Sequence, residues 1–369
     1  MYRTIRKYLS ENREQKEIID GKVISKDIFG RATVQTATGT FKAIDLRGRG
    51  TASVMINNTA QNQNEFSVIA GNQERNIVQP TYYDLPVIEA PTTLAVVDTC
   101  NYRVQIFNKT GAFIRSFGDE STFGMLRGIA SDSENNIYIS EICKNYDDNE
   151  YDIVKYDYNG NYITKWDGLY CPYGIFAKNG YIYYAEGDSV VKRTPSGTIV
   201  QQYDFSLSYP MSNIHDVCVD SEDNIYVTYF SVNLVRKYSS SGVLVHEIGI
   251  KSNYDEGSSD DGKFWSPRGI AVDSQNNVYI CDSFNNRIQK FDSSGNFILK
   301  FGSQGSTSGK FIFPWFIRID NKDNAYITDL QNHRVQVFSS SGTFLSSFGS
   351  QGNSNGQFNM TMGICIIGE

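Results

Sequence analysis

Residues 268–302 read RGIAVDSQNNVYICDSFNNRIQKFDSSGNFILKFG, and residues 315–349 read WFIRIDNKDNAYITDLQNHRVQVFSSSGTFLSSFG, the same pattern 47 positions later. Each copy contains four short runs of alternating or β-branched apolar residues, which in the first copy are GIAVD, NVYICD, RIQKF and FILKFG. Clusters of Asp, Ser, Asn and Gly separate the runs, as is typical of tight turns between strands. The repeat therefore predicts units of four antiparallel strands joined by hairpins.

Looser copies of the unit continue upstream, with first strands at residues 128–132, 174–178 and 216–220. The earliest copy, residues 94–118, lacks a first strand, whereas the strand-like run at 363–367 has no partner after it. We therefore expect this C-terminal run to complete the first sheet, which gives six four-stranded units. A ring closed in this way leaves no long exposed sheet edge. The sequence thus predicts an all-β fold with a six-bladed β-propeller over residues 92–369.

The repeat signature also resembles a known family. It consists of G-I-A-V-D, N-x-Y-I-x-D, N-R-I/V-Q-x-F and a terminal F-G, and it resembles the NHL repeat. The resemblance covers residues 92–367; blades one, five and six match closely, and blades two, three and four depart from the pattern. It implies a propeller scaffold that serves mostly for binding, with enzymes among only some relatives.

An Asp and an Arg five residues apart recur in three blades, as Asp98 and Arg103, Asp282 and Arg287, and Asp329 and Arg334. The Asp ends the second strand and the Arg opens the third, so each pair is predicted to brace its hairpin or to contact a neighbouring blade. In blade four Tyr229 and Leu234 replace both members together, which avoids an uncompensated buried charge. We interpret the pairs as structural ion pairs and not as metal ligands.

The first ninety residues form a different module. Residues 1–20 place apolar side chains on one face of a predicted helix. Strand candidates at 21–25, 31–36, 41–44, 52–56 and 65–69 predict a small OB-like β-barrel over residues 21–71. Its pattern G-x-V…G-R-A-T-V-x-T…G-x-x-x-A resembles small β-barrel modules of phage tail and baseplate proteins. Residues 72–91 contain three prolines and are predicted to be a linker.

Composition and charge exclude several classes of protein. The net charge is −7 and the chain has no basic block, so nucleic-acid binding and membrane binding are not predicted. The N-terminus lacks the apolar core of a signal peptide, and no apolar run is long enough to span a bilayer. We therefore expect a protein made in the cytoplasm without a signal peptide. The six cysteines contain no CxxC pair, so we interpret them as reduced thiols.

The sequence contains no recognised catalytic motif. It has three dispersed histidines, no G-x-S-x-G elbow and no phosphate-binding loop, so we predict no enzyme activity, cofactor or metal. His215 and Asp216, which open the axial strand of blade four, are the best candidates for a metal pair. A structural role for this histidine is the favoured interpretation.

Two acidic loops, residues 141–152 and 253–262, are predicted to lie on one rim of the propeller, where second-to-third and fourth-to-first connections open. Loops on a rigid scaffold often carry function. The candidate binding residues are Tyr146, Asp147, Asp148, Tyr151, Tyr173, Tyr254, Asp255 and Asp260. Loops that are merely solvated are an equally favoured interpretation. Cys143 and Cys171 belong to the same face, and free thiols are favoured over a disulfide between them.

The sequence therefore predicts a non-enzymatic structural or binding protein. The N-terminal module is expected to dock onto protein subunits of a larger assembly, a virion tail or surface structure. The propeller is expected to display a binding face to a surface protein or a glycan. One alternative is an enzyme of the lactonase or lyase type with an axial metal, and another is an intracellular protein- or RNA-binding propeller. The sequence does not identify the partner or the oligomeric state, nor whether the helix packs on its own barrel or on another subunit.

Overall fold

The computed structural model describes residues 92–142, 151–207, 213–253 and 256–368, together with the backbone of seven short strands before residue 92. The chain divides into two compact units, Met1–Val87 and Ile88–Glu369. The described residues contain no helix with the length and apolar composition needed to cross a bilayer.

In the first unit, seven strands form two antiparallel sheets. The strands are β1 (Glu17–Ile18), β2 (Lys22–Lys26), β3 (Arg31–Thr36), β4 (Gly39–Asp45), β5 (Ala52–Ile56), β6 (Phe66–Ala70) and β7 (Gln73–Glu74). One sheet has the order β2-β3-β4 and the other the order β1-β5-β6-β7. Strands β2 to β6 coincide, within two residues at either end, with the five strand candidates of the sequence. Apart from β1, the predicted helix over 1–20 lies outside the described residues, as do most of the predicted linker and any closure into an OB-like barrel.

In the second unit, the described residues form six four-stranded antiparallel sheets, which are the blades of a propeller. Blade one contains β8 (Thr93–Asp98), β9 (Arg103–Asn108) and β10 (Phe113–Phe117); blade two contains β11 (Met125–Ser131), β12 (Ile137–Ile142), β13 (Tyr151–Tyr156) and β14 (Tyr162–Leu169); blade three contains β15 (Pro172–Lys178), β16 (Tyr181–Glu186), β17 (Ser189–Arg193) and β18 (Ile199–Asp204).

The remaining blades repeat the same plan. Blade four contains β19 (Ile214–Val219), β20 (Ile225–Tyr229), β21 (Leu234–Tyr238) and β22 (Leu244–Gly249); blade five contains β23 (Pro267–Val272), β24 (Val278–Asp282), β25 (Arg287–Phe291) and β26 (Phe297–Phe301); blade six contains β27 (Pro314–Ile319), β28 (Ala325–Asp329), β29 (Arg334–Phe338) and β30 (Phe344–Phe348). In blades one, five and six, a 3-10 turn joins the second strand to the third: Thr99–Asn101, Ser283–Asn285 and Leu330–Asn332.

The C-terminal strand β31 (Thr361–Ile367) closes the ring. It pairs antiparallel with β8, with Ile364 opposite Val96 and Ile367 opposite Thr93, and supplies the inner strand that blade one lacks. The predicted composite blade is therefore confirmed. One ion pair also spans the closure, because Lys109 of blade one lies 3.2 Å from the carboxylate of Asp320 in blade six.

The hydrophobic core lies between neighbouring blades. Both faces of the two innermost strands of a blade are covered, so all six residues of β8, the second strand of blade one, are buried, whereas three of the six residues of the outer strand β22 are exposed. Alternate side chains of each strand point to opposite faces of the sheet and so fill the two adjoining layers. The layer between blades one and two, for example, contains Val104, Ile129 and Ile139. This packing makes the ring a rigid support for its loops.

Glycine allows the inner strands to approach one another around the propeller axis. A Cβ atom added to Gly269 would lie 2.7 Å from the Cα of Phe316 in the next blade, and one added to Gly174 would lie 2.6 Å from the Cα of Asp216. Gly128 and Gly363 occupy the same position in their blades. Blades four and six have Asp216 and Phe316 there instead. The strands therefore bring the residue that precedes this position close to its counterparts in neighbouring blades.

Candidate functional site

The residues that precede this axial position form a cluster at one mouth of the axis. Five of them are polar or aromatic, and we call them the axial mouth cluster: Arg127, Tyr173, His215, Arg268 and Trp315. They lie where the inner strands begin, opposite the ends of the second strands, as the pairing of Pro267 with Asp282 shows. The second-to-third turns and the fourth-to-first links open on this same rim.

Arginine side chains lie on aromatic rings throughout the cluster. The guanidinium carbon of Arg127 is 4.0 Å from the ring centroid of Tyr173. That of Arg268 is 3.8 Å from the ring centroid of Trp315 and 4.8 Å from that of Phe230. Cations on aromatic faces attract the ring quadrupole, and the attraction is stronger where water is excluded. The cluster thus packs guanidinium groups against aromatic rings contributed by several blades.

His215 lies at the centre of these rings. Its imidazole centroid is 5.3 Å from the ring of Tyr173, 5.5 Å from Trp315 and 5.9 Å from Phe230. The residue is fully buried, and its ring nitrogens make no well-aligned hydrogen bond within the described part of the chain. Burial lowers the pKa of His215 well below its usual value. The charges of Arg268 and Arg127 lower this pKa further, whereas the backbone of Arg268 raises it. Burial and the two arginines therefore both favour the neutral form of this imidazole.

Arg127 is a cation without a counter-charge in the described part of the chain. Its side chain is half-buried, and its Nη1 atom is buried with no hydrogen-bond partner. Polar groups removed from water without a partner are uncommon in folded proteins because they cost free energy. Arg127 and His215 thus place at this mouth buried polar atoms that no described residue satisfies with a well-aligned hydrogen bond.

Beneath the mouth, a buried ion pair crosses the axis. Arg318 on β27 donates from Nη1 to Asp216 on β19 at 3.1 Å and from Nη2 to the carbonyl oxygen of Ile175 at 2.9 Å. The carboxylate of Asp216 also accepts hydrogen bonds from the backbone N–H groups of Val217 and Ile270. Burial raises the pKa of the Asp216 carboxyl, and the charge of Arg318 partly offsets this effect. The pair connects inner strands of blades three to six.

This pairing bears on the candidate metal site. Asp216 is committed to Arg318 and to two backbone donors, so it does not offer a free carboxylate beside His215. Within the described ranges, no three side chains of His, Cys, Asp or Glu converge as metal ligands would.

The structure places only some of the predicted rim residues. Tyr173 belongs to the axial mouth cluster. Tyr151, on β13, has its pKa raised to about 12, mainly by a hydrogen bond with Cys171. Asp260 is exposed and pairs with Lys263 at 2.8 Å, and that contact lowers its pKa. The other candidates lie outside the described residues: Tyr146, Asp147, Asp148, Tyr254 and Asp255. Cys171 carries a free thiol, and Cys143 also lies outside the described residues.

The three predicted Asp–Arg pairs are ion pairs in the structure. The distances from arginine Nε to aspartate Oδ2 are 2.7 Å for Asp98 and Arg103, 2.7 Å for Asp282 and Arg287, and 2.9 Å for Asp329 and Arg334. Each arginine also donates to carbonyl oxygens of the link that enters its blade; Arg287, for example, contacts those of Ser259, Asp260 and Lys263. The pairs therefore fix the links on the rim around the axial mouth.

Sequence reasoning missed Arg127, Arg268 and Trp315. The signal was present, because each of these residues occupies the same column of the repeat, directly before the axial position of the first strand. A comparison of the copies at that single column gives Arg, Tyr, His, Arg and Trp in successive blades. The sequence predicted acidic loops on this rim, whereas the described residues at its centre are basic and aromatic.

Comparisons with known proteins support the fold. The NHL repeat family model matches residues 264–291 and 311–338, in blades five and six. Protein brain tumor of Drosophila melanogaster is 44% identical over 45 residues, which are 12% of this chain and 4% of that protein. The match thus spans only a small part of this curated relative.

Solved structures resemble the chain over much more of its length. A protein of unknown function from Bacteroides caccae is 13% identical, with a TM-score of 0.58 over 76% of this chain and 100% of that one. Another from Bacteroides thetaiotaomicron is 13% identical, with a TM-score of 0.55 over 98% and 94%. A streptogramin B lyase is 16% identical, with a TM-score of 0.50 over 74% and 83%.

At these identities the structural likeness shows the fold alone. The described residues from 92 to 368 therefore form a six-bladed β-propeller that carries NHL repeats in blades five and six.

Proposed function

We propose that this chain is a binding protein whose propeller takes up a ligand at the axial mouth. The observation that carries the proposal is the axial mouth cluster itself. It combines a half-buried arginine with no counter-charge among the described residues, a buried histidine whose ring nitrogens make no well-aligned hydrogen bond there, and aromatic rings that contact both side chains. Polar groups that converge among mostly apolar and aromatic side chains are typical of ligand sites.

The rigidity of the surroundings supports this role. The Asp–Arg pairs fix the links of the rim, and the pair of Asp216 and Arg318 fixes the inner strands beneath it. A binding site whose supports are already ordered loses little conformational entropy when a ligand binds. Aromatic rings and arginines are also enriched where binding energy is concentrated. We propose a glycan or a surface protein as the partner.

An axial metal at His215 and Asp216, which the lactonase or lyase alternative requires, does not fit this donor set. Both oxygens of the Asp216 carboxylate accept hydrogen bonds from Arg318 and the backbone. The resemblance to a streptogramin B lyase concerns the fold and supplies no catalytic residue here. The metal content of the purified protein, measured by mass spectrometry, tests this alternative; a stoichiometric divalent metal would favour it.

The binding proposal can be tested on an array of neutral and acidic glycans with the labelled full-length chain. We expect Tyr173→Ala to weaken binding about tenfold, since an aromatic contact in a desolvated site contributes about 1–2 kcal/mol. Tyr158→Ala is the matched control, because Tyr158 likewise carries an arginine, Arg115, at 4.7 Å but lies away from the axis. Equal binding by both variants would show that the axial mouth is not the site, and no binding by the wild type would exclude a glycan partner.

We further propose that the N-terminal unit docks the propeller onto protein subunits of a larger assembly, such as a virion tail or surface structure. The division of the chain into Met1–Val87 and Ile88–Glu369 supports a separate role for the first unit. Light scattering on the full chain and on residues 88–369 tests it. We expect higher oligomers from the full chain and monomers from the fragment. Monomers in both cases would contradict self-assembly and leave docking to depend on another protein.

A further inference from the structure

We propose that the joint between blades six and one, where the ring closes, is a latch that mild acid loosens through protonation of His333. The imidazole of His333, directly after the 3-10 turn of blade six, accepts a hydrogen bond at Nδ1 from the backbone N–H of Met360 at 3.0 Å. Met360 directly precedes β31, the strand that completes blade one. One side-chain acceptor of blade six therefore holds the start of the closing strand. The latch does not depend on which ligand the axial mouth binds.

The same hydrogen bond recurs at two other joints of the ring, where asparagine supplies the acceptor. Asn233 accepts from the backbone N–H of Ser266 at 2.7 Å, and Asn286 accepts from that of Phe313 at 3.0 Å. At each of these joints the acceptor directly precedes the third strand of one blade, and the donor lies where the chain enters the next blade. An amide oxygen remains an acceptor across the range in which an imidazole nitrogen becomes protonated. Of these three joints, only the closure therefore titrates near neutral pH.

Protonation would place two donors face to face at the closure. A neutral imidazole has one N–H and one acceptor nitrogen, whereas an imidazolium carries an N–H on both. A proton on Nδ1 of His333 would therefore point at the N–H of Met360, which would lose its acceptor and face a positive charge. The peptide that carries this N–H is also held at its other end, because the carbonyl oxygen of Asn359 accepts from the N–H of Cys100 at 3.0 Å. It therefore cannot turn away without the loss of a second hydrogen bond.

Charged groups act on His333 from both blades of the joint. Burial lowers the pKa of His333, and the carboxylates of Asp98 in blade one and Asp329 in blade six act in the opposite direction. Each carboxylate is paired with an arginine, Asp98 with Arg103 at 2.7 Å and Asp329 with Arg334 at 2.9 Å. Since the closed joint favours the neutral imidazole, the contribution of the hydrogen bond is complete above the ordinary pKa of about 6.5. It is lost progressively as the pH falls below that value.

The other contacts of the joint confine the change to a local loosening. Lys109 of blade one lies 3.2 Å from the carboxylate of Asp320 in blade six. Ile364 and Phe316 belong to the apolar layer that the two blades share. These contacts do not involve a histidine. We therefore expect the start of β31, and not the whole ring, to open more often in acid.

Hydrogen exchange of the full-length chain, followed by mass spectrometry between about pH 7.5 and about pH 5, tests the latch. Rates are corrected for the intrinsic pH dependence of amide exchange. We expect the protection of the amide of Met360 to fall about tenfold across this range, because its hydrogen bond is lost and the donor then faces a cation. The amide of Phe313 is the internal control, since its acceptor is the side chain of Asn286, and its protection should stay constant.

Three variants separate the imidazole from the rest of the joint. His333→Asn installs the acceptor that the other two joints use; it should keep the protection of the wild type at neutral pH and abolish the pH dependence. His333→Ala lacks the acceptor at every pH and should exchange at neutral pH about as fast as the wild type does in acid. His246→Asn changes a histidine on the outer strand β22 and should titrate like the wild type.

An equal pH dependence in the wild type and in His333→Asn would overturn the proposal, because the titrating group would then be Asp98, Asp329 or another residue. Protection of the Met360 amide that stays constant in the wild type would overturn it as well. A parallel fall at Phe313 would show a general response to acid and would likewise refute a latch at the closure.

Discussion

Replacement of Arg318 by methionine tests whether the buried ion pair holds the inner strands together. The change leaves the carboxylate of Asp216 with only two backbone donors and removes the hydrogen bond from Arg318 to the carbonyl oxygen of Ile175. Breaking a buried pair by removal of one partner costs about 3–5 kcal/mol. With an unfolding entropy of about 2.1 cal/mol/K per residue over about 280 residues, this corresponds to a fall of about 5–9 °C in Tm.

The assay is thermal unfolding followed by calorimetry, with Arg115→Met as the control for loss of an arginine from an outer strand. The double variant Asp216→Asn, Arg318→Met should be about 1–3 kcal/mol more stable than Arg318→Met, because no buried charge remains unpaired. A Tm for Arg318→Met within about 1 °C of the control would refute this account of the axis.

The pH dependence gives a second readout for the same variant. Burial raises the pKa of Asp216, and the loss of Arg318 removes the charge that opposes this effect. A folded state with the higher carboxyl pKa binds a proton that the unfolded state releases, so stability is lost as the pH rises through that interval. The deficit of Arg318→Met should therefore be largest at neutral pH and shrink as the pH falls towards 4; a deficit independent of pH would argue that Asp216 is not the affected group.

Three further predictions concern the ring, the histidine and the cysteines. Ile364→Ala should lower the free energy of unfolding by about 2–5 kcal/mol in urea titrations, whereas Leu345→Ala, half exposed on β30, should change it by about 0.5 kcal/mol or less. Equal effects would argue against a tightly packed closure. Because His215 has a lowered pKa in the fold, protonation of the unfolded state should erode stability as the pH falls below about 6.5; His215→Gln should lose this component, and an unchanged pH profile would contradict it. In the native protein a maleimide should label exposed Cys100 rapidly and leave the buried thiols of Cys218, Cys281 and Cys365 unreacted. Mass spectrometry of the labelled peptides checks this, and rapid labelling of a buried thiol would contradict the packing. Six titratable thiols after denaturation without reductant would exclude a disulfide between Cys143 and Cys171.

The repeat predicts most of the propeller because each blade is a local pattern. Strands, turns and the Asp–Arg pairs all depend on residues within one copy, and the orphan run at 363–367 identifies the composite blade. The prediction of blade one succeeds because a missing strand and a surplus strand can be counted without knowledge of side-chain contacts.

The site is harder to predict because its contacts join different blades. Asp216 and Arg318 are 102 residues apart, and nothing in either copy alone indicates that the axis brings them together. Arg127 and Tyr173 are likewise in consecutive blades and meet only because the inner strands converge. The burial of His215 follows from four aromatic neighbours in three blades, which no spacing rule within a copy contains.

The pairing of β31 with β8 has a consequence for the order of events during synthesis. Strand β8 is among the first propeller segments to leave the ribosome, and its partner β31 emerges some 260 residues later, as the pairing of Thr361 with Asp98 shows. Until then one edge of β8 has no neighbouring strand, and its unpaired backbone N–H and C=O groups can pair with another chain. Premature termination before residue 361 would leave this edge permanently uncovered. We therefore expect nascent chains to depend on chaperones over most of their translation and to mature only after the last strand has been released.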